Sequence, residues 1–244
     1  MKRHLIDVNF RLTSLFLWAL FGVLVLFFLK IFFKKYRHFI IQLWSKCLLK
    51  IVGIKIFKYG HSLIGRKILF VSNHVSLFDI PIIHSVIEAN FISKAEVNNW
   101  PLIGFLSRNA GTHFINRRNI NKSLINSMLN IEQLLRNGER LILFPEGTTS
   151  LNNSIKNFNS FFFQSAINSE SRIQGIKITY FYNKNFYNDI AYVENVSFFD
   201  VLKSSLMIKG IVAKIEFFPF ILAKDFTRKT LAKKLFNIIS EGQS

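Results

Sequence analysis

Between Asp7 and Glu88 the chain carries one carboxylate, Asp79, against eleven lysines and arginines. That solitary acid stands five positions after His74, in Ser72-Asn73-His74-Val75-Ser76-Leu77-Phe78-Asp79. On a continuous helix five residues turn through about 140°, so the two side chains would not meet. They meet if His74 lies on a turn leaving a strand and Asp79 lies in the first turn of the helix that follows. A carboxylate so placed fixes the tautomer of the imidazole and stabilises its protonated form, which makes a general base. The same residues fit a capping box, Ser76-x-x-Asp79, in which Asp79 completes a helix start and the histidine is incidental. Both readings stay open at this level. No Gly-x-Ser-x-Gly elbow accompanies the pair, so attack by an activated substrate hydroxyl suits it better than a covalent enzyme intermediate.

Two further segments could do chemistry. Phe144-Pro145-Glu146-Gly147-Thr148-Thr149 ends an apolar run at a proline. It then presents an acid, a glycine and hydroxyls at the carboxyl end of a strand, where open α/β sheets place ligands. Gly111-Thr112-His113-Phe114-Ile115-Asn116-Arg117-Arg118 ends in paired arginines, whose planar forks suit phosphate. Taken singly, each also fits a plain strand-to-loop junction with a solvated charge.

The elements that must carry these residues follow from alternating short runs. Residues 67–72, 113–116, 140–144, 175–180 and 208–217 read as strands, and 78–87, 120–136, 158–166 and 226–239 as helices. Strands alternating with helices imply an α/β fold with a mostly parallel central sheet flanked by helices. No internal repeat or Pro- or Ser-rich linker divides residues 54–244, which are expected to form one catalytic domain behind an N-terminal anchor, 1–53.

Within the anchor, residues 15–29 form an unbroken apolar run. With Thr13 and Ser14 admitted and Lys30 snorkelling, a hydrophobic helix over 13–33 reaches the ~20 residues that a bilayer core requires. Lys-Ile-Phe-Phe-Lys-Lys follows the run, which offers no signal-peptide cleavage site. Residues 36–52 place Phe39, Ile40, Leu43, Trp44, Leu48 and Leu49 at helical spacing with Arg37, Lys46 and Lys50 elsewhere, which suits an interfacial helix, or else an amphipathic core helix. Lys2, Arg3 and Arg11 flank the apolar run on one side and Lys30, Lys34, Lys35 and Arg37 on the other. The positive-inside rule therefore leans towards the main domain on the cytoplasmic side of an inner or cytoplasmic membrane.

Composition narrows the classes. Half of the 244 residues are hydrophobic and the formal net charge is +18, with a mean hydropathy of +0.27. Disorder of the usual kind, which pairs high charge with low hydrophobicity, is excluded. An acidic partner is implied: an anionic membrane surface, an anionic substrate or carrier, or nucleic acid. Cys47 is the one cysteine, so no intrachain disulfide forms, and the six histidines fall in no metal-ligand spacing. The 28 phenylalanines with the basic charge would permit stacking on nucleic acid. No RRM, KH or helix-turn-helix pattern supports that distant alternative.

In order and in register, the segments resemble the glycerolipid acyltransferase family, above all the 1-acylglycerol-3-phosphate (lysophosphatidic acid) acyltransferases. Asn73-His74-x4-Asp79 matches the family's His-x4-Asp block. Ser93-Lys94-Ala95-Glu96 with Trp100-Pro101-Leu102-Ile103-Gly104 is similar to its K-x-E…P-x-x-G segment, and Phe114-Ile115-Asn116-Arg117 to its F-I-x-R block. Phe144-Pro145-Glu146-Gly147-Thr148 is similar to its third block, unbroken. The resemblance covers roughly residues 50–220. Two departures stand out: Thr149 where the third block commonly has arginine, and Gly175-Ile176-Lys177-Ile178 where the fourth usually carries a proline.

The resemblance implies a membrane-bound enzyme that moves a fatty acyl group from acyl-CoA or acyl carrier protein to the free hydroxyl of lysophosphatidic acid, giving phosphatidic acid. It implies His74 as general base, Asp79 as its orienting acid, and Arg117 on the acceptor phosphate, with Lys94 a second candidate for that phosphate. Glu146 and Gly147 would position the glycerol portion, beside Thr148 and Phe114. No metal or organic cofactor is expected. Thr149 leaves open another lysolipid acceptor, such as a lyso-ornithine lipid or a lysophospholipid with a larger headgroup.

Overall fold

The computed structural model describes residues 5–32, 34–116, 122–192 and 197–242. Its strands are β1 (Ile54–Tyr59), β2 (Ile68–Ser72), β3 (Asn90–Lys94), β4 (His113–Ile115), β5 (Arg140–Leu143), β6 (Arg172–Tyr182), β7 (Asn185–Phe186) and β8 (Ile211–Leu222). They form one sheet in the order β1-β8-β6-β2-β5-β3-β4, with β7 hairpinned onto β6. β2 runs parallel to both β5 and β6, and β3 parallel to both β4 and β5. β8 is antiparallel to β6, and β1 parallel to β8. The carboxyl ends of β2, β3, β4, β5 and β6 therefore open on one edge.

The central strands are apolar on both sides, as parallel sheets covered by helices require. In β2, Ile68 and Phe70 face one core while Leu69 and Val71 face the other. Side chains of α1 (Leu5–Phe32), α2 (Arg37–Val52), α3 (Asp79–Val86) and α7 (Phe198–Met207) fill the first, including Leu49, Val52, Ile82, Ile83 and Leu206. The second is filled from α5 (Lys122–Arg136), α6 (Phe163–Asn168) and α8 (Arg228–Glu241), with Ile131, Leu135, Phe163, Leu231 and Leu235. α4 (Ile103–Ala110) packs on α1 and α2.

Several elements differ from the sequence expectation. β1 is an added edge strand whose exposed lysines, Lys55 and Lys58, obscure its pattern and are what an edge needs. β3, α4, β7 and α7 are likewise additional. β8 starts later and runs longer than 208–217, and α6 starts at Phe163 rather than 158.

The N-terminal helices, expected over 13–33 and 36–52, run from Leu5 to Phe32 and from Arg37 to Val52. α1 lies against the rest of the protein along one face. Val8 and Leu15 enter the main core, and Val25 packs with Ile40, Ile41, Leu106 and Ala110. Between them the Trp18 indole N–H donates to the Trp44 carbonyl at 3.3 Å, and the Trp44 indole N–H to the Trp18 carbonyl at 3.2 Å. Gly22 admits this approach: a Cβ there would stand 2.7 Å from Trp44 Nε1. The opposite face exposes Phe10, Leu17, Phe21 and Leu24, and α2 continues it with Phe39 and Leu43. The expected boundary at 53/54 falls on Gly53, the left-handed cap of α2, yet Val8, Leu15, Leu49 and Val52 share one core with residues beyond it.

Candidate active site

β2 delivers Asn73 and His74 to the carboxyl edge. The Asn73 amide copies a strand's backbone: its Nδ2 donates to the Ile178 carbonyl at 2.9 Å, and its Oδ1 accepts the Ile178 N–H at 2.7 Å. The chain leaving β2 thus stays attached to β6 before it turns. Asp79, fully buried at the start of α3, closes that turn. Its Oδ2 accepts the N–H groups of Val75 and Ser76 at 2.7 and 2.9 Å, and the His74 Nδ1–H at 2.7 Å.

Asp79 holds the imidazole and closes the turn ahead of α3, where no side chain caps the helix. Of the capping box read from Ser76-x-x-Asp79 only the acid's half is made. The serine half of the box is not made: Ser76 Oγ accepts from the Phe78 N–H at 3.4 Å. Because an ionised carboxylate only accepts, Nδ1 carries the proton and Nε2 is left with its lone pair. The His74 ring stacks on Phe144, with centroids 4.0 Å apart, and its side chain is 19% exposed.

The loop after β5 grips the same histidine by its backbone. Glu146 Oε1 accepts the His74 N–H and Oε2 the Lys156 N–H, each at 2.8 Å. The Ser150 N–H donates to the His74 carbonyl, also at 2.8 Å. Burial pushes the Glu146 carboxyl above the usual carboxylate range, opposed by the Lys156 and His74 N–H donors. Both of its oxygens are thus engaged by backbone, where the sequence resemblance implied a part in placing glycerol. Gly147 takes φ 70, a left-handed turn residue, and donates its N–H to the Phe144 carbonyl at 3.1 Å.

Thr148 is exposed at the tip of this loop. Thr149 turns inward, nearly buried, with its hydroxyl donating to the Tyr192 carbonyl. The Lys156 ammonium donates to the Thr149 carbonyl at 3.2 Å.

Lys94 ends β3 and Phe114 lies in β4, two and three strands from β2 on the same edge. Arg117 and Arg118 fall outside the described residues. The structure thus brings His74, Asp79, Glu146 and Gly147 into one bonded cluster and leaves Lys94 and Phe114 further along its rim. Among the described residues no three His, Cys, Asp or Glu side chains form a metal-ligand group.

Sequence reasoning missed Tyr180, Asn73 and Ser150 as parts of the site. The fully buried Tyr180 donates its hydroxyl to Asp79 Oδ1 at 2.6 Å. Burial, then the neighbouring Asp79 charge, push this phenol well above its ordinary value, so it serves as a neutral donor. A tyrosine inside a strand buried on both faces was a readable signal, since its hydroxyl needs a partner. The histidine of α3, His84, is pushed down to about 3 by burial, with His38 and Arg37 adding to the effect. It stays neutral and lies edge-on to Phe91.

A protein-family model described as Acyltransferase matches residues 55–179. The chain is 43% identical over 115 residues to the lyso-ornithine lipid O-acyltransferase of Pseudomonas aeruginosa, a match spanning 47% of this chain and 44% of that protein. It is 34% identical over 121 residues to the 1-acyl-sn-glycerol-3-phosphate acyltransferase of Neisseria gonorrhoeae, again 47% of this chain and 44% of the relative. These matches span less than half of either relative's length. The crystal structure of the 1-acyl-sn-glycerophosphate (LPA) acyltransferase PlsC from Thermotoga maritima superposes with a TM-score of 0.74 at 18% identity, covering 98% of this chain and 93% of that one. The mostly parallel sheet with its flanking helices is the fold they share.

Proposed function

Since the chain belongs to the acyltransferase family, we propose that it transfers a fatty acyl group from a thioester of coenzyme A or acyl carrier protein to the free hydroxyl of a lysolipid, lysophosphatidic acid foremost. The observation that carries this is the orientation of His74. Nδ1 is held by a buried carboxylate, and Nε2 is left free to accept a proton at the ligand edge of the sheet. As the acceptor oxygen bonds to the thioester carbon, Nε2 takes its proton and Asp79 stabilises the imidazolium. When the C–S bond breaks, the proton passes from His74 to the departing thiolate. Glu146 and Ser150 keep the histidine backbone from shifting during both steps. Arg117 and Lys94 are the proposed contacts of the acceptor phosphate, and Gly147, Thr148 and Phe114 line its approach.

The outward apolar stripe of α1 and α2 supports attachment to a membrane. The stretch Asp7–Val25 is long and apolar enough to cross one. However, its inner face is seated on the protein from Val8 to Val25, which favours lying flat in one leaflet. In this reading 1–53 is the anchor and 54–244 the catalytic unit, placed on the cytoplasmic side.

Thr149 favours a second acceptor class. Its side chain is spent on Tyr192, so no cation comes from that position, and a lyso-ornithine lipid acyltransferase is among the relatives. The test is acyl transfer by the purified protein in detergent, each acceptor being offered with each donor. His74→Ala is expected to lower turnover by at least ~10²-fold while the protein stays folded. Near-normal turnover of that variant overturns the base reading, and the preferred acceptor decides the substrate.

A further inference from the structure

Asp79 has no unpaired oxygen. Oδ2 accepts three donors, and Oδ1 accepts the Tyr180 hydroxyl at 2.6 Å. Tyr180 and Asp79 are both fully buried, so water does not compete for this bond. The tyrosine backbone is itself fixed. Its N–H donates to Asn152 Oδ1 at 2.8 Å, and its carbonyl accepts the Asn152 amide and the Tyr187 N–H. Tyr180 stands two residues beyond Ile178, which the Asn73 amide clamps. One strand therefore fixes both the turn that carries His74 and the acid that orients it.

We propose that Tyr180 is a positioning residue for acyl transfer: its hydroxyl locks the rotation of the Asp79 carboxylate and draws charge from it, and so sets the basicity of His74. The proposal rests on the reading of His74 as the base. A carboxylate held at one oxygen only can pivot, and the His74 ring follows it. A carboxylate relieved of a donor also attracts the imidazolium more strongly. Other titratable groups around the pair are Glu146 and Lys156 on the loop after β5, and Tyr187 and Tyr192 beyond β7. None of these is altered by removing the Tyr180 oxygen.

The experiment is the pH profile of kcat/KM for Tyr180→Phe in detergent, per folded molecule, beside wild type, His74→Ala and Asp79→Asn. Tyr180→Phe is expected to lose about tenfold in kcat with little change in acceptor KM, since ordering of the base is what it loses. The acid limb, set by protonation of His74, should move up by about half a pH unit to one unit. Added to Asp79→Asn, the same change should cost little more, because its target is already altered.

Should Tyr180→Phe not fold, 3-fluorotyrosine at position 180 keeps shape and hydrogen bond while strengthening the donor, and the limb should move down. A folded Tyr180→Phe with the wild-type limb and kcat, or a fluorotyrosine protein with an unmoved limb, overturns the proposal while leaving an inactive His74→Ala to uphold the base. Activity surviving in His74→Ala instead overturns the base reading, and this one with it.

Discussion

Replacing Glu146 by glutamine separates a carboxylate that holds the protein from one that holds substrate. In the native site each carboxylate oxygen accepts one backbone N–H at 2.8 Å, from His74 on one side and Lys156 on the other. Glutamine offers one oxygen. If that oxygen serves His74, the amide NH2 faces the Lys156 N–H, donor against donor; flipped, it abandons His74. A hydrogen bond to a charged group contributes ~1.5–3 kcal/mol. The Lys156 N–H is exposed and can turn to water, so losing its partner costs less than stranding a buried donor. Part of the loss is returned, because the neutral amide escapes the burial that pushes Glu146 upward. The net loss expected is ~1–2 kcal/mol.

The kinetic effect should fall on kcat. His74 would keep its Asp79 bond while its backbone tether weakens from a carboxylate to an amide oxygen, and a displacement of ~1 Å at a reacting group costs about 10²-fold. Denaturation in detergent gives the first quantity, and steady-state kinetics with varied acceptor gives the second. A Glu146→Gln protein of native stability and native kcat, with a raised acceptor KM, would refute the reasoning. Its carboxylate would then contact the glycerol, as the family resemblance implies.

Two further outcomes follow from the geometry. Thr149→Arg, which restores the family's usual residue, should lower stability by ~2–4 kcal/mol through overpacking and the lost bond to the Tyr192 carbonyl. It should not improve KM for lysophosphatidic acid, and a stable variant with a lower KM would show that the slot opens outward. His84 stays neutral in the fold, at about 3 against 6.5 unfolded, so its contribution is intact above pH 6.5 and is lost as pH falls towards 3, by ~1.4 kcal/mol per unit. His84→Gln should flatten the acid side of the stability profile between about pH 6 and 4, and parallel wild-type and variant curves would discount the burial.

The sheet was legible where strands are buried on both faces and stopped by a turn residue. The run 67–72 and the run ended by Pro145 gave β2 and β5 almost to the residue. β1 was not legible, because a strand at the sheet's end is mostly exposed and carries a lysine on each face, Lys55 on one and Lys58 on the other. β3 hid for another reason: Asn90, Ser93 and Lys94 break its apolar run, and Asn90 at its start is taken up by bonds to Arg37 and Glu139. The helix α1 was read as an anchor from its hydropathy alone. That Val8 and Leu15 are inward-facing core residues depends on which stripe meets the rest of the protein, and the all-round apolar character of the segment conceals the stripe.

The site divides in the same way. The pairing of His74 with Asp79 was legible because carboxylates are scarce around it and because a five-residue spacing demands a turn. What the spacing could not supply was the bonding of Asp79 itself. Oδ2 accepts from His74, Val75 and Ser76 together, ahead of α3. One carboxylate oxygen can serve both because the N–H groups of the turn and the imidazole N–H converge on it. Glu146 was read as a substrate contact because its motif is known and its partners are not local. They lie seventy-two residues back, at His74, and ten ahead, at Lys156. A motif of this kind marks a residue as necessary without saying whether it touches the substrate or the residue that does. In this fold the third block is bonded to the backbone of the first.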